Sequence, residues 1–295
     1  MSKIFISIII LIVIIGGIFY LFNKPEEPKK EEPPVKEFTN DPLNTTYIIN
    51  DKEYALVDGK VEKEIVPGSA SVETVNAFKT ETKADFNGDG LEDVLVVLTY
   101  NGGGTGTFFF VAAALNQGSS YKGTNGIILG DRIDIESTYF EKGVIFVNYL
   151  DRELGEPMTA EPSVKIVKRF VLREGELVKL AGNNLIYVTS PLPEQEVSSP
   201  LTIEGEARGN WYFEADFPVV LVNWDGLIIG EGIARAQDEW MTEDFVPFTA
   251  TIEFESPFKE GDQDFMKRGG LILQKDNPSG LPENDDAIEF AIFFK

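Results

Sequence analysis

The chain opens on one long apolar run and never repeats it. Ile4 to Phe22, "IFISIIILIVIIGGIFYLF", is 19 residues without a charge. As a helix it would rise about 28 Å at about 1.5 Å per residue, close to the thickness of a bilayer core. Residues 1–22 therefore read as a transmembrane signal anchor. A cleaved signal peptide is the competing reading, against which stand the length of the run and the lack of a small-x-small site after it. The stretch that follows, "NKPEEPKKEEPPVKE", mixes proline with charge and has nothing to bury, so residues 23–38 are expected to be an extended linker. A short N-terminal tail with the whole body behind the span predicts a single-pass protein with its body extracytoplasmic.

From Thr45 onward the apolar positions fall into short runs or alternate singly, and none keeps a helical period for long. "TYIINDKEYALVDGK" predicts a hairpin turning at Asn50-Asp51, with Asp58-Gly59 closing its second strand. "DVLVVLTY" and "TFFFVAAAL" predict two strands joined by "NGGGTG", and "GVIFVNYL" and "VKIVKRFVL" two more across the polar loop "DRELGEPMTAEPS". After "LAGNN" the rhythm is more regular: "LIYVTSP", "LTIEGEA", "FEADFPVVLV", "LIIGEGIARA", "FTATIEF", "LILQ" and "IEFAIFF". About seven strands in about 110 residues is the arithmetic of a β-sandwich. Phe248, Ala250, Ile252 and Phe254 share one face, as do Ile288, Phe290, Ile292 and Phe294. The expected fold is mainly β, with a β-rich domain over 39–182 and a sandwich over 183–295.

Charge and composition narrow the chemistry. Forty-nine acidic residues oppose 26 basic ones, for a net charge of -23. Such a surface repels phosphate backbones, which excludes nucleic acid as a partner and favours a cationic partner or a divalent ion. With no cysteine and no histidine, disulfides, thiol chemistry, Ser-His-Asp catalysis and the usual zinc sites are absent. "NGGGTG" lacks the Gly-Lys-Ser/Thr end of a phosphate-binding loop and joins strand to strand, so it reads as a hairpin turn. The acids and Arg152 of "DRELGEPMTAEPS" read as a structural loop. A non-catalytic protein follows, binding an envelope protein or polysaccharide or organising the envelope. The alternative is a carboxylate enzyme acting on wall polysaccharide, suggested by acids near Trp211 and Trp240.

One loop carries candidate chemistry. In "ADFNGDGLED", Asp85, Asn87 and Asp89 occupy positions 1, 3 and 5 of the hard-cation pattern Asp-x-Asn-x-Asp-Gly. Gly90 supplies the turn, Leu91 offers its carbonyl at position 7, and Asp93 stands at position 9. Position 12 of an EF-hand would be glutamate, but here it is Val96, inside an apolar strand. The spacing resembles the calcium loops of integrin-type FG-GAP repeats, although the loop occurs only once. A plain acidic turn is the alternative. Mutual repulsion of three close carboxylates favours a structural calcium ion held by Asp85, Asn87, Asp89, Leu91 and Asp93.

The C-terminal third carries a family likeness. The blocks "ARGNW", "EWMTEDFVPF" and "DNPSGLPENDD" resemble the immunoglobulin-like domain of bacterial spore germination, over residues 186–294. The resemblance implies an immunoglobulin-like sandwich in a secreted or membrane-attached bacterial protein, and implies no catalytic residue. Within this segment Trp224 lies in "VNWDGL", where Asn223 to Gly226 reads as a hairpin turn. Its ring is expected at an exposed loop tip, as a partner contact.

Overall fold

The computed structural model describes residues 41–295 apart from Ser69 and Glu81. The expected anchor over 1–22 and linker over 23–38 lie outside the described residues. Among the described residues no helix is long and apolar enough to cross a membrane.

Strands β1 (Thr46–Ile49) and β2 (Lys52–Ala55) form the expected hairpin, with Asn50 and Asp51 at φ 50° and 60°. Positive φ at both central residues matches the turn to the twist of the strands. A seven-stranded sheet follows, built from β3 (Lys60–Glu64), β4 (Val72–Lys79), β5 (Lys83–Ala84), β6 (Asp93–Asn101), β7 (Phe108–Asn116), β8 (Tyr121–Gly123) and β9 (Ile127–Asp131). Then β10 (Asp134–Glu141), β11 (Val144–Asp151), β12 (Val164–Arg173) and β13 (Glu176–Lys179) make a four-stranded antiparallel meander.

Strands β6 and β7 are covered on both faces. Leu95, Val97, Phe109, Val111 and Ala113 pack with Ile145, Val147, Phe170 and Leu172 of the meander. The alternate residues Val94, Val96, Leu98, Phe110 and Ala112 pack with Tyr47, Ile49 and Tyr54 of the hairpin. Burial on both sides is why these segments read as continuous apolar runs, where a half-solvated strand would alternate.

The C-terminal part comprises β14 (Ala181–Gly182), β15 (Ile186–Ser190), β16 (Glu196–Val197), β17 (Leu201–Arg208), β18 (Asp216–Val222), β19 (Ile228–Ala236), β20 (Phe245–Ile252), β21 (Arg268–Gln274) and β22 (Ala287–Phe294). One layer is β15-β17-β20 and the other is β18-β21-β22. Strand β19 pairs along the length of β18 but meets β20 only at Arg235 and Ala236, so the hydrogen-bonded path turns a corner there. Ile203, Phe248 and Ile252 meet Phe217, Leu221, Leu271 and Ile292 in a single core. Both predicted faces are inward: Phe248, Ala250, Ile252, Ile288, Phe290, Ile292 and Phe294 are buried, and Phe254 packs at the margin. The strand expected from Phe213 starts later, at Asp216. Glu214 and Ala215 take φ of 52° and 67°, and a tight turn bridges Phe213 to Asp216.

The described residues fall in one compact unit. The outward face of the meander, through Val144, Phe146, Val171 and Leu180, packs on Tyr187 and Phe245 of the sandwich. Arg169 lies in this seam at 5% exposure. Its guanidinium is 5.5, 4.6 and 5.0 Å from the ring centroids of Phe146, Tyr187 and Phe245, and Nη1 donates to the Asn183 carbonyl at 2.8 Å. Burial pulls its pKa down, and the electron-rich ring faces offset that cost.

Candidate functional site

Ala84 at the end of β5 pairs with Asp93 at the start of β6. The chain from Asp85 to Glu92 is thereby forced out as a loop between two hydrogen-bonded strands. Asp85 is its hub. Oδ1 accepts from the amides of Gly88 (2.7 Å) and Asp89 (3.1 Å), and Oδ2 from that of Gly90 (2.9 Å). These amides, Gly90 foremost, hold the Asp85 carboxyl below the usual carboxylate range. Gly88 and Gly90, at φ 79° and 85°, turn those amides inward through backbone that a side chain would strain.

The rest of the loop is also internally bonded. Asn87 Oδ1 accepts from the Asp89 amide, Asn87 Nδ2 donates to Asp89 Oδ2, and Asp89 Oδ1 accepts from the Leu91 amide, at 2.9, 2.9 and 2.8 Å. Asp93 is different, because it is fully buried. Its Oδ2 accepts from Phe86 N at 3.0 Å and its Oδ1 from Asn116 N at 2.8 Å. Burial nevertheless pushes its carboxyl up, against the pull of those two amides.

The structure divides the five predicted ligands. Asp85, Asn87, Asp89 and Leu91 lie along the exposed loop, while Asp93 sits beneath it as a strut to β7. The repulsion expected among the carboxylates is met by backbone amides. Among the described residues no group of three or more acidic side chains gathers as a metal site. The side-chain acceptors of the exposed loop are all oxygens, the atom type a hard cation takes, although Asp85 Oδ1 is already filled by two amides.

Trp224 stands in a turn that is braced from within. Asn223 Oδ1 accepts from the amides of Asp225 (3.1 Å) and Leu227 (2.8 Å), and the Gly226 amide donates to the Asn223 carbonyl at 3.0 Å. Trp224 is 46% exposed and its ring lies near-perpendicular to that of Phe265, itself 55% exposed, at 5.1 Å between centroids. Phe265 went unremarked in the sequence because it sits on a 3-10 turn, Asp264–Lys267, where no period marks it. Trp211, by contrast, is wholly enclosed against Phe217, and Trp240 packs partly on the same core.

Residues 185–264 match the immunoglobulin-like domain of bacterial spore germination. The matched stretch ends on the turn that carries Phe265. The sandwich is completed beyond the matched stretch by β21 and β22, which supply Leu271, Leu273, Ile288 and Ile292 to its core. The match does not reach the Asp85 loop, so the likeness to FG-GAP calcium loops has no family match behind it. No curated protein and no solved structure matches the chain.

Other groups prove structural. Arg152 donates through Nε to the Ala160 carbonyl (2.7 Å) and through Nη1 to the Arg132 carbonyl (3.0 Å), which pins the polar loop that begins at Asp151. Asn101 closes the glycine-rich turn by donating to the carbonyls of Gly104 and Gly106. Lys168 was not foreseen. Burial pushes its pKa down to about 8, and Nζ donates to the Leu129 carbonyl at 2.8 Å and lies 5.5 Å from the Tyr149 ring centroid. The alternation of "VKIVKRFVL" sets Lys168 on the inward face with Ile166 and Phe170, and that was the available signal.

Proposed function

We propose that this chain is a membrane-anchored extracytoplasmic binding protein of the bacterial envelope, and that the Trp224 edge of its sandwich is the contact surface. The observation that carries the reading is the solvent-exposed Trp224 on its internally braced turn, with Phe265 of a second turn against its ring. Large aromatic rings left in water on a preorganised support are characteristic of contact sites, because little ordering entropy is lost on binding. The apolar run Ile4–Phe22 supports the anchor, and the spore-germination sandwich supports a bacterial setting. In intact cells, or spheroplasts if an outer barrier intervenes, external protease should cut within residues 23–38 and release the body. Before cleavage, envelope particles should retain the protein in salt and detergent, and Trp224→Ala should weaken that retention. A body protected from external protease, or undiminished retention of the variant, would overturn the reading.

The Asp85 loop is proposed to hold a structural calcium ion through Asp85, Asn87, Asp89 and the Leu91 carbonyl, with Asp93 supporting from below. Because the loop already satisfies itself, the ion would add to stability and not create the fold. Binding to the folded state alone raises stability by mass action, about 2.7 kcal/mol at about 100 times the dissociation constant. Extracellular modules bind at roughly 0.1–1 mM. The melting temperature of the full chain should therefore rise when chelator is replaced by millimolar calcium, less so with magnesium, and Asp89→Ala should remove the rise. Identical melting in chelator and calcium would leave the loop an acidic turn.

A further inference from the structure

The groove beside Trp224 says more about the ligand than the exposed ring alone. It is an open cleft of about 570 Å³ on the outward face of β18, β21 and β22, a volume in the range of ligand sites. Its floor is cut low at Gly270, where a Cβ would stand 3.0 Å from Val222 Cγ2 and 3.1 Å from Glu289 Oε1. Any side chain there would narrow the cleft between Val222 and Glu289. Trp224 is part of the lining, and Phe265 lies against its ring.

Arg268 and Glu289 also line the groove, and both are exposed. Among the described residues neither has an ion-pair partner. This sets them apart from nearby Lys267, which is paired with Glu196. The cleft thus brings an exposed tryptophan, a free acceptor and a free fork of donors around one low floor. A pyranose ring presents the complement: C–H groups on one face, and hydroxyls around the rim that both donate and accept. An open cleft lets a chain of such rings pass through. The net charge of -23 argues against a polyanionic chain.

We infer that the Trp224–Phe265 groove, floored by Gly270 and flanked by Arg268 and Glu289, binds an uncharged pyranose polymer. The inference rests on the binding role proposed above and names its ligand class. One ring stacks on Trp224, while Glu289 accepts from and Arg268 donates to hydroxyls of the same or the next ring.

The test uses the full-length protein in a sugar-free zwitterionic detergent, titrated with cellohexaose and with the hexamer of N-acetylglucosamine. Trp211 is enclosed and Trp240 partly so, so a saturable blue shift of tryptophan emission that Trp224→Ala removes reports Trp224. At least one hexamer should give that shift, with millimolar or tighter affinity. Trp224→Ala should weaken binding in calorimetry by at least about tenfold, and Glu289→Gln by several-fold, the order of one hydrogen bond to a charged group. Polygalacturonate, a polyanion of similar ring chemistry, should give no shift.

No saturable shift with either hexamer up to about 10 mM would overturn the inference. So would equal binding by a folded Trp224→Ala protein, which would put the sugar elsewhere, or equal binding of polygalacturonate. If the hexamers fail while envelope retention still depends on Trp224, the ligand class falls and the binding role stands.

Discussion

Arg169→Ala should destabilise the full chain by about 3 kcal/mol, among the larger effects available to a single substitution here. Three aromatic rings lose the cation that fills the space between them. The Asn183 carbonyl loses its donor, and a cavity opens in the seam between meander and sandwich. The companion Arg169→Met separates these causes. Methionine fills the volume without the desolvation cost of a buried charge, and such replacements are often neutral or stabilising. Calorimetric unfolding of both variants checks the account. A loss near 3 kcal/mol in the alanine variant with near recovery in the methionine variant assigns the effect to packing. Equal losses would assign it to charge, and no loss in either would mean that the seam does not depend on Arg169.

Asp93→Ala should cost about 2–5 kcal/mol, through the amides of Phe86 and Asn116. Removing the acceptor costs about 1–3 kcal/mol at the buried Phe86 amide and about 1–2 kcal/mol at the part-buried Asn116 amide. Asp93→Asn keeps one carbonyl oxygen but turns an NH₂ toward the other donor, so it should fall between wild type and alanine. Chemical denaturation in chelator is the decisive measurement, since the effect is expected without any ion. A loss seen only in calcium would instead make Asp93 a ligand first and a strut second.

How far the sequence revealed this molecule depended on how each residue meets its surroundings. The sandwich was legible because β20 and β22 have one face in the core and one outside it, so Phe248 to Ile252 and Ile288 to Phe294 alternate visibly. Strands β6 and β7 were legible for the opposite reason, being covered on both faces. Strands β4 and β10 escaped notice: "VETVNAFK" and "DIESTYFE" lie mostly on partly exposed surface and carry too few apolar residues for a period to stand out. The Asp85 loop was legible as a motif, but not in its bonding. Whether carboxylates face an ion or their own amides depends on φ at Gly88 and Gly90 and on the depth of Asp93. The Trp224 site was half legible. The turn was written in Asn223 to Gly226, while Phe265, Arg268 and Glu289 reach it from distant segments that only the pairing of β18, β21 and β22 brings together.

The seam at Arg169 also has a mechanical meaning. Its meander side belongs to the N-terminal part of the body, and the Trp224 groove lies on the C-terminal sandwich. A pull applied between Asp41 and a ligand at Trp224 must therefore cross from one to the other, so the two parts carry the load in series. Within the sandwich the force meets long antiparallel ladders such as β17 on β20. At the seam it meets mainly side chains, Val144, Phe146, Val171 and Leu180 on Tyr187. Under tension that joint is expected to yield before either part unravels, lengthening the reach of the molecule while both folds stay intact.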